Sequence, residues 1–196
     1  MKLFNGYRKS QVIAINALLC ALVLLFFFFP VYIGVLSLAI VPIIAIIISA
    51  EIMGVFNGAI TGLFFGIISL AGSFMRPGIL SFAFYNPLVS IAPRILIGVV
   101  AFYVAKAIFV LFPKLPKLFG YAAGAMAGVI TNTVGVLGMI LLFYNGRILG
   151  GGSAISFQWV SGIIISNSIL EIIVCTVVTP PIVIALKKVL GVQKAS

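Results

Sequence analysis

The sequence predicts an all-α polytopic membrane protein with six transmembrane helices and both termini in the cytoplasm. Of its 196 residues, 64% are hydrophobic and 7% are charged, whereas a soluble domain carries about 25% charged residues. The apolar residues form long runs, and the cations lie unevenly between them. These observations exclude a soluble globular protein and predict one transmembrane domain over residues 1–196.

Six apolar runs can be drawn, each near the length of about 20 residues that a helix needs to cross a bilayer. The first run follows Lys2, Arg8 and Lys9 like a signal peptide. No small-residue cleavage site precedes Pro30, so we expect a retained helix. A turn at 51–54 separates the second and third runs. The predicted spans are 11–29, 32–50, 54–73, 89–112, 118–143 and 157–187.

The distribution of cations predicts the orientation. An even number of spans puts both termini on one side, and the opposite loops then hold only Arg76 and Arg147. Cytoplasmic loops carry the excess of lysine and arginine, so the side that holds most of the cations is cytoplasmic. The net charge of +10 therefore reports orientation and not nucleic-acid binding. The predicted cytoplasmic side holds Lys2, Arg8, Lys9, Lys114, Lys117, Lys187, Lys188 and Lys194.

Small residues recur every fourth position in three spans, which places them on one face of each helix. Close backbone approach through such residues drives helix association in lipid. We expect the third and fifth spans to pack inside the bundle, whereas Ala17 and Ala21 in the first span form a patch free to meet another membrane protein. Alanine pairs are also common in apolar helices. The two ladders are Gly54, Gly58, Gly62 and Gly66, and Gly120, Gly124 and Gly128.

Two ionisable residues, Arg94 and Glu171, lie away from the cytoplasmic ends of the predicted spans, whereas Lys106 lies late in the fourth span and can extend toward the cytoplasmic side. Such residues are functional candidates because burying a charge in lipid is costly. Arg94 follows Ser90, a predicted N-cap, and Pro93, predicted in the first turn of the fourth span. A guanidinium beside the amides of a helix start favours an anion, which predicts an anion site open to the outside. Alternatively, Arg94 pairs with Glu171.

Further polar residues are expected near Arg94. Asn167 and Glu171 share a face of the sixth span, and Asn132 continues the glycine stripe of the fifth. A convergence of these groups predicts a ligand pocket; a purely structural polar network is the alternative. Three loop residues could close the pocket from above: Phe84, Tyr85 and Asn86.

Several chemistries have no residues to support them. The chain has no histidine and two acidic residues, and Cys20 and Cys175 lie in apolar runs, so we expect no metal site, cofactor or disulfide framework. No phosphate-binding loop is present, so the chain cannot power transport with ATP itself. We expect a binder that uses partner subunits, not an enzyme. A ligand-free accessory scaffold is the rival hypothesis.

The ordered set of these motifs resembles the substrate-binding S component of energy-coupling factor (ECF) transporters, and most of all its pantothenate type. The folate, hydroxymethylpyrimidine or pyridoxine, and riboflavin types remain alternatives. The resemblance covers nearly the whole chain. The resemblance rests on Ala17 and Ala21, the glycine-spaced third helix, Asn86-Pro87 through Pro93-Arg94 to Gly98, Thr131-Asn132-Thr133, and Asn167 to Glu171 ahead of Thr179-Pro180-Pro181.

This resemblance implies a six-helix protein of the bacterial plasma membrane that captures a small water-soluble vitamin from outside. It implies that Arg94, Asn132 and Asn167 contact the ligand. It also implies that Ala17 and Ala21 dock on a transmembrane coupling subunit, which joins two ATPase subunits. In the mechanism proposed for the family, the S component topples in the membrane to deliver its cargo.

Overall fold

In the computed structural model, seven helices and one small hairpin form within residues 9–29, 32–33, 36–37, 40–75, 80–148, 154–158, 162 and 168–190, which are the residues that the structure describes. The helices are α1 Lys9–Phe28, α2 Ile40–Met53, α3 Val55–Met75, α4 Ser81–Phe84, α5 Pro87–Leu111, α6 Lys117–Tyr144 and α7 Ile169–Val189. The hairpin pairs β1 Tyr32–Ile33 with β2 Leu36–Ser37 in antiparallel register.

Five of these helices are long and apolar enough to cross a membrane: α1, α3, α5, α6 and α7. The bounds of α1, α3, α5 and α6 agree with the predicted spans to within a few residues, and α7 covers the later part of the predicted span 157–187. Before α7, Phe157, Gln158 and Gly162 are helical as well. Residues 159–161 and 163–167 lie outside the described residues. The all-helical membrane architecture is therefore confirmed, apart from the hairpin.

The second predicted span differs most from the structure. The prediction of a helix from residue 32 is wrong, because the hairpin occupies that part and α2 begins only at Ile40. A continuous apolar run has no periodicity that separates a strand from a buried helix. The 14 residues of α2 rise about 21 Å, less than a hydrocarbon core of about 30 Å. Every residue of α2 except Val41 is buried, so this helix forms the centre of the bundle.

The turn between α2 and α3 consists of Gly54 alone. Its φ of +98° is a conformation that glycine adopts without strain, and a Cβ there would contact nothing within 4 Å. Gly54 is therefore not part of the packing ladder, contrary to the prediction. Because α2 continues to Met53, Glu51 lies within a helix and not in a turn, which corrects a second prediction.

The remaining glycines of the α3 ladder let α3 lie directly against α5. A Cβ on Gly62 would overlap the carbonyl group of Arg94, and one on Gly66 would lie 2.8 Å from the Cα of Ile91. From the other side, a Cβ on Gly98 would lie 2.6 Å from the carbonyl carbon of Gly58. The predicted role of these glycines in packing is confirmed. Their contacts hold the backbone of Arg94 at a fixed distance from α3.

The glycines of α6 contact α2 and α5. A Cβ on Gly124 would overlap the Glu51 carboxylate, and one on Gly128 would lie 3.2 Å from the Ile47 side chain. Gly135, two turns further along, lies against Pro93, with 3.0 Å between its Cβ position and the proline Cβ. This contact brings the middle of α6 beside the start of α5, next to Arg94.

A second hydrophobic cluster closes the end of the bundle where α5 begins. It joins α4 to the last turns of α6 and to the segment after them, through Ala83, Val89, Val136, Leu137, Ile140 and Ile155. Short α4 is thereby held across the N-terminal end of α5, close to the candidate site.

Candidate functional site

Arg94 is the central residue of the candidate site. Its side chain is 6% exposed, and its Nη1 donates to the carbonyl of Val89 on the same helix at 2.9 Å. Its Nε is buried and has no partner among the described residues. The guanidinium carbon lies 5.6 Å from the ring centroid of Phe65 and 5.2 Å from that of Phe84. A buried guanidinium that lies between two rings and has an unused N–H donor can bind an anionic ligand through a hydrogen bond.

The start of α5 differs from the prediction. Asn86, not Ser90, is the N-cap: its side chain accepts a hydrogen bond from the backbone N–H of Leu88 at 3.0 Å, and Pro87 takes the first helical position. Pro93 consequently lies beyond the first turn, inside the helix. The predictions for Ser90 and Pro93 are wrong because an asparagine followed by proline is also a strong helix start, and Asn86 lies four residues before Ser90.

Ser90 has a different role, which fixes the loop over the site. Its hydroxyl is buried and donates to the carbonyl of Phe84 at 2.6 Å. This hydrogen bond holds the end of α4 against α5 and places the Phe84 ring beside the guanidinium of Arg94. Phe84 is therefore the loop residue that the structure brings to Arg94.

Tyr85 contacts α3 instead. Its ring stacks on Phe74 at the end of α3, with centroids 4.5 Å apart and planes 17° apart, and 40% of the residue is exposed. Nearby, the guanidinium of Arg147 lies 4.0 Å from the ring centroid of Phe82, which also packs edge-on against Tyr144. These contacts line the end of the bundle with aromatic rings around α4.

Asn132 lies on α6 one turn before Gly135, the residue that packs on Pro93. It is half-buried, and its Oδ1 is buried with no hydrogen-bond partner among the described residues. An unpartnered buried amide oxygen close to the start of α5 is available to a ligand donor. Its neighbour Thr133 donates to Ser168 at 3.3 Å and so ties α6 to α7.

The two acceptors expected on the sixth span have different outcomes. Asn167 lies outside the described residues. Glu171 is half-buried in the first turn of α7. Within the part of the chain that the structure describes, Arg94 forms no ion pair with Glu171; the guanidinium contacts Val89, Phe65 and Phe84 instead.

Sequence reasoning missed a buried carboxylate. Glu51 is 4% exposed, and neither of its oxygens has a hydrogen-bond partner among the described residues. It borders a cavity of about 150 Å³ together with Tyr121 and Lys187, whose ammonium donates to the Tyr121 hydroxyl at 2.8 Å. The available signal was the rarity of acidic residues, since the chain has only two.

Replacing Glu51 with glutamine should raise the melting temperature of the purified protein. An amide costs less to bury than a carboxylate whose oxygens make no hydrogen bond, and a gain of about 1 kcal/mol corresponds to about 2–4 °C in a chain of this size. Thermal unfolding in detergent measures the change, with Glu171→Gln as the matched control because that carboxylate is only half-buried. A lower melting temperature for Glu51→Gln would show that the carboxylate forms a stabilising pair.

A comparison with known families identifies the chain. The model of the family described as "ECF transporter, substrate-specific component" matches residues 11–183. This chain belongs to that family. The S component is accordingly a subunit of a transporter and not an enzyme, and it is a multi-pass protein of the cell membrane.

Two curated relatives are similar to this S component over most of their length. The pantothenic acid transporter PanT of Lactococcus lactis subsp. cremoris (strain MG1363) is 30% identical over 157 residues, covering 73% of this chain and 74% of the relative. The pantothenate transporter PanT of Leuconostoc mesenteroides subsp. mesenteroides is 29% identical over 194 residues, covering 85% and 87%.

Proposed function

We propose that this S component binds pantothenate from the outer side of the membrane and delivers it through an ECF coupling module. The observation that carries the proposal is the buried guanidinium of Arg94, with its unpartnered Nε between Phe65 and Phe84. Pantothenate has one carboxylate for this guanidinium, and hydroxyl and amide groups for the Asn132 oxygen. The names of the two PanT relatives support the same substrate.

The other candidate ligand contacts are Asn167, Glu171, Phe84, Tyr85 and Asn86. Phe84 supplies an apolar wall, and Tyr85 and Asn86 lie at the end of the bundle from which a ligand would enter. The carboxamide oxygen of Asn86 accepts the capping hydrogen bond of α5, and its NH₂ group would be the donor offered to a ligand. Glu171 and Asn167 would complete the pocket from α7 and the segment before it.

The proposed topology has six membrane-crossing segments, with α2 as the short second one and both termini in the cytoplasm. The charges of the described residues support this orientation. The connection from α5 to α6 borders the end of α7 in one open pocket, so Lys114, Lys117, Lys187 and Lys188 lie at the same end of the bundle. That end is the cytoplasmic one by the positive-inside rule. Arg94 then lies toward the opposite, outer end.

Energy for transport comes, in this proposal, from a transmembrane coupling subunit and two ATPase subunits. Ala17 and Ala21 are both exposed on α1, which has few buried side chains, and so remain free to contact the coupling subunit. Small residues allow the backbones of two helices to approach closely in lipid.

A vitamin panel tests the proposed substrate. The purified S component should bind pantothenate with sub-micromolar affinity, and pantothenate at 100 times its Kd should stabilise the fold by about 2.7 kcal/mol. Thermal shift and calorimetric titration measure both effects, with folate, hydroxymethylpyrimidine, pyridoxine and riboflavin as the comparison ligands. Tight binding of one of those vitamins would replace pantothenate as the substrate. Stabilisation by none of them would favour the ligand-free scaffold.

A further inference from the structure

Helix α1 packs on the bundle through one apolar stripe, in which Ile15 and Phe27 are partly buried against the core. Its buried side chains are Val12, Leu19 and Val23, and most of the others are exposed. In lipid, burying apolar side chains between helices gains little, because the lipid tails are as apolar as the side chains. Apolar packing along this stripe therefore defines the rotation of α1 about its own axis less sharply than directional hydrogen bonds do.

Asn16 makes side-chain hydrogen bonds from α1 to both α2 and α3. Its amide nitrogen donates to the side-chain oxygen of Asn57 on α3 at 2.7 Å. Its oxygen accepts from the hydroxyl of Ser49 on α2 at 3.0 Å and from that of Thr61 on α3 at 3.4 Å. Both functional groups of the carboxamide are thus satisfied by two different helices.

The partners of Asn16 are themselves fixed and buried. Asn57 donates to the carbonyl of Met53 at 3.0 Å. The Thr61 hydroxyl, whose one proton serves one acceptor at a time, lies 3.0 Å from both the Asn57 carbonyl and the Ser49 hydroxyl. Ser49 and Thr61 are fully buried, and Asn57 is 5% exposed. The buried hydrogen-bonding groups around Asn16 are therefore compatible with one rotation of α1.

The position of Asn16 on α1 connects this network to the proposed docking patch. Asn16 lies in the inward stripe with Val12, Leu19 and Val23, whereas Ala17 and Ala21 are exposed. At about 100° per residue, Ala17 lies about 100° and Ala21 about 140° around the helix from Asn16. A hydrogen-bonded Asn16 consequently points both alanines away from the bundle.

We propose that Asn16 is a positioning residue: its hydrogen bonds to Ser49, Asn57 and Thr61 fix the rotation of α1 and thereby present Ala17 and Ala21 to the coupling subunit. This inference rests on the proposed docking function of α1. It assigns to a polar residue outside the ligand pocket the task of aligning the docking face.

Replacing Asn16 with leucine tests the inference, because leucine has a similar size and no hydrogen-bonding group. We expect the variant to bind pantothenate with unchanged affinity but to capture the coupling module at least about tenfold more weakly. Co-purification of the coupling module with the tagged S component measures capture, and uptake of radiolabelled pantothenate in cells gives a second readout. Asn145→Leu is the matched control, because Asn145 is exposed at the end of α6.

A second variant removes the contacts of the Asn16 oxygen without changing α1 and leaves the hydrogen bond from Asn16 to Asn57 in place. The double substitution Ser49→Ala and Thr61→Val deletes both hydroxyls that donate to Asn16, and it should reduce capture in the same direction. Melting temperature and pantothenate affinity report whether each variant is folded. If either variant is folded and captures the module as well as the unsubstituted chain does, the inference is wrong. If the unsubstituted chain itself captures no coupling module, the proposed function fails instead.

Discussion

Replacing Arg94 with glutamine should weaken pantothenate binding by about 10- to 150-fold. A hydrogen bond from a charged donor in a buried site contributes about 1.5–3 kcal/mol, and each 1.4 kcal/mol is a factor of ten in Kd. Within the described residues the only other arginine is Arg147, whose guanidinium stacks on Phe82. Calorimetric titration of the purified variant measures the loss.

Two further variants separate charge from geometry at this site. Arg94→Lys keeps a positive charge but cannot form the planar fork that binds a carboxylate, so we expect an intermediate affinity. Arg147→Gln makes the same substitution at an exposed arginine and should bind pantothenate normally. Unchanged affinity in folded Arg94→Gln would remove Arg94 from the binding site and leave it a structural role through Val89.

Tryptophan at both Ala17 and Ala21 should abolish vitamin uptake while leaving vitamin binding intact. Both residues are exposed on α1, so the bulky rings disturb no packing inside the bundle. They would prevent the close backbone approach that a small-residue face permits. Uptake by cells that also express the coupling module measures the loss, and titration of the purified variant measures binding.

The matched control places two tryptophans on another exposed helix face. Ile173 and Val177 are 54% and 67% exposed on α7 and have the same spacing of four residues. Ile173→Trp with Val177→Trp should retain uptake. Equal loss of uptake in both variants would show that general bulk, and not the α1 face, limits transport. Retained uptake in the α1 variant would refute docking through Ala17 and Ala21.

Most of the helical architecture was predictable because the membrane imposes a length and a composition on each span. Segments α1, α3, α5 and α6 could be placed from their apolar runs to within a few residues. The packing role of the glycine ladders also followed from spacing alone, because a period of four repeats on one helix face. Gly54 is the exception, since only the backbone conformation shows that it turns the chain.

The candidate site was predictable in part. Arg94 stood out as a cation inside an apolar run, and the structure buries it with unused hydrogen-bonding capacity. Its neighbours could not be derived in the same way, because Phe65 comes from another helix and Phe84 depends on the hydrogen bond from Ser90. Sequence spacing could not test the hypothesis of an Arg94–Glu171 pair, because it predicts contacts within one helix and these two residues belong to different helices.

The sequence by itself determined that this chain lies in a membrane, that its helices associate through small residues, and that Arg94 is exceptional. Each of these properties follows from the composition of one segment or from the spacing of residues within it. Only the tertiary structure decided that α2 is a short central helix, that Glu51 is buried, and that Asn16 bonds to two other helices. An apolar run has the same composition whether lipid or protein surrounds it. Only contacts between segments distant in the sequence distinguish the two environments.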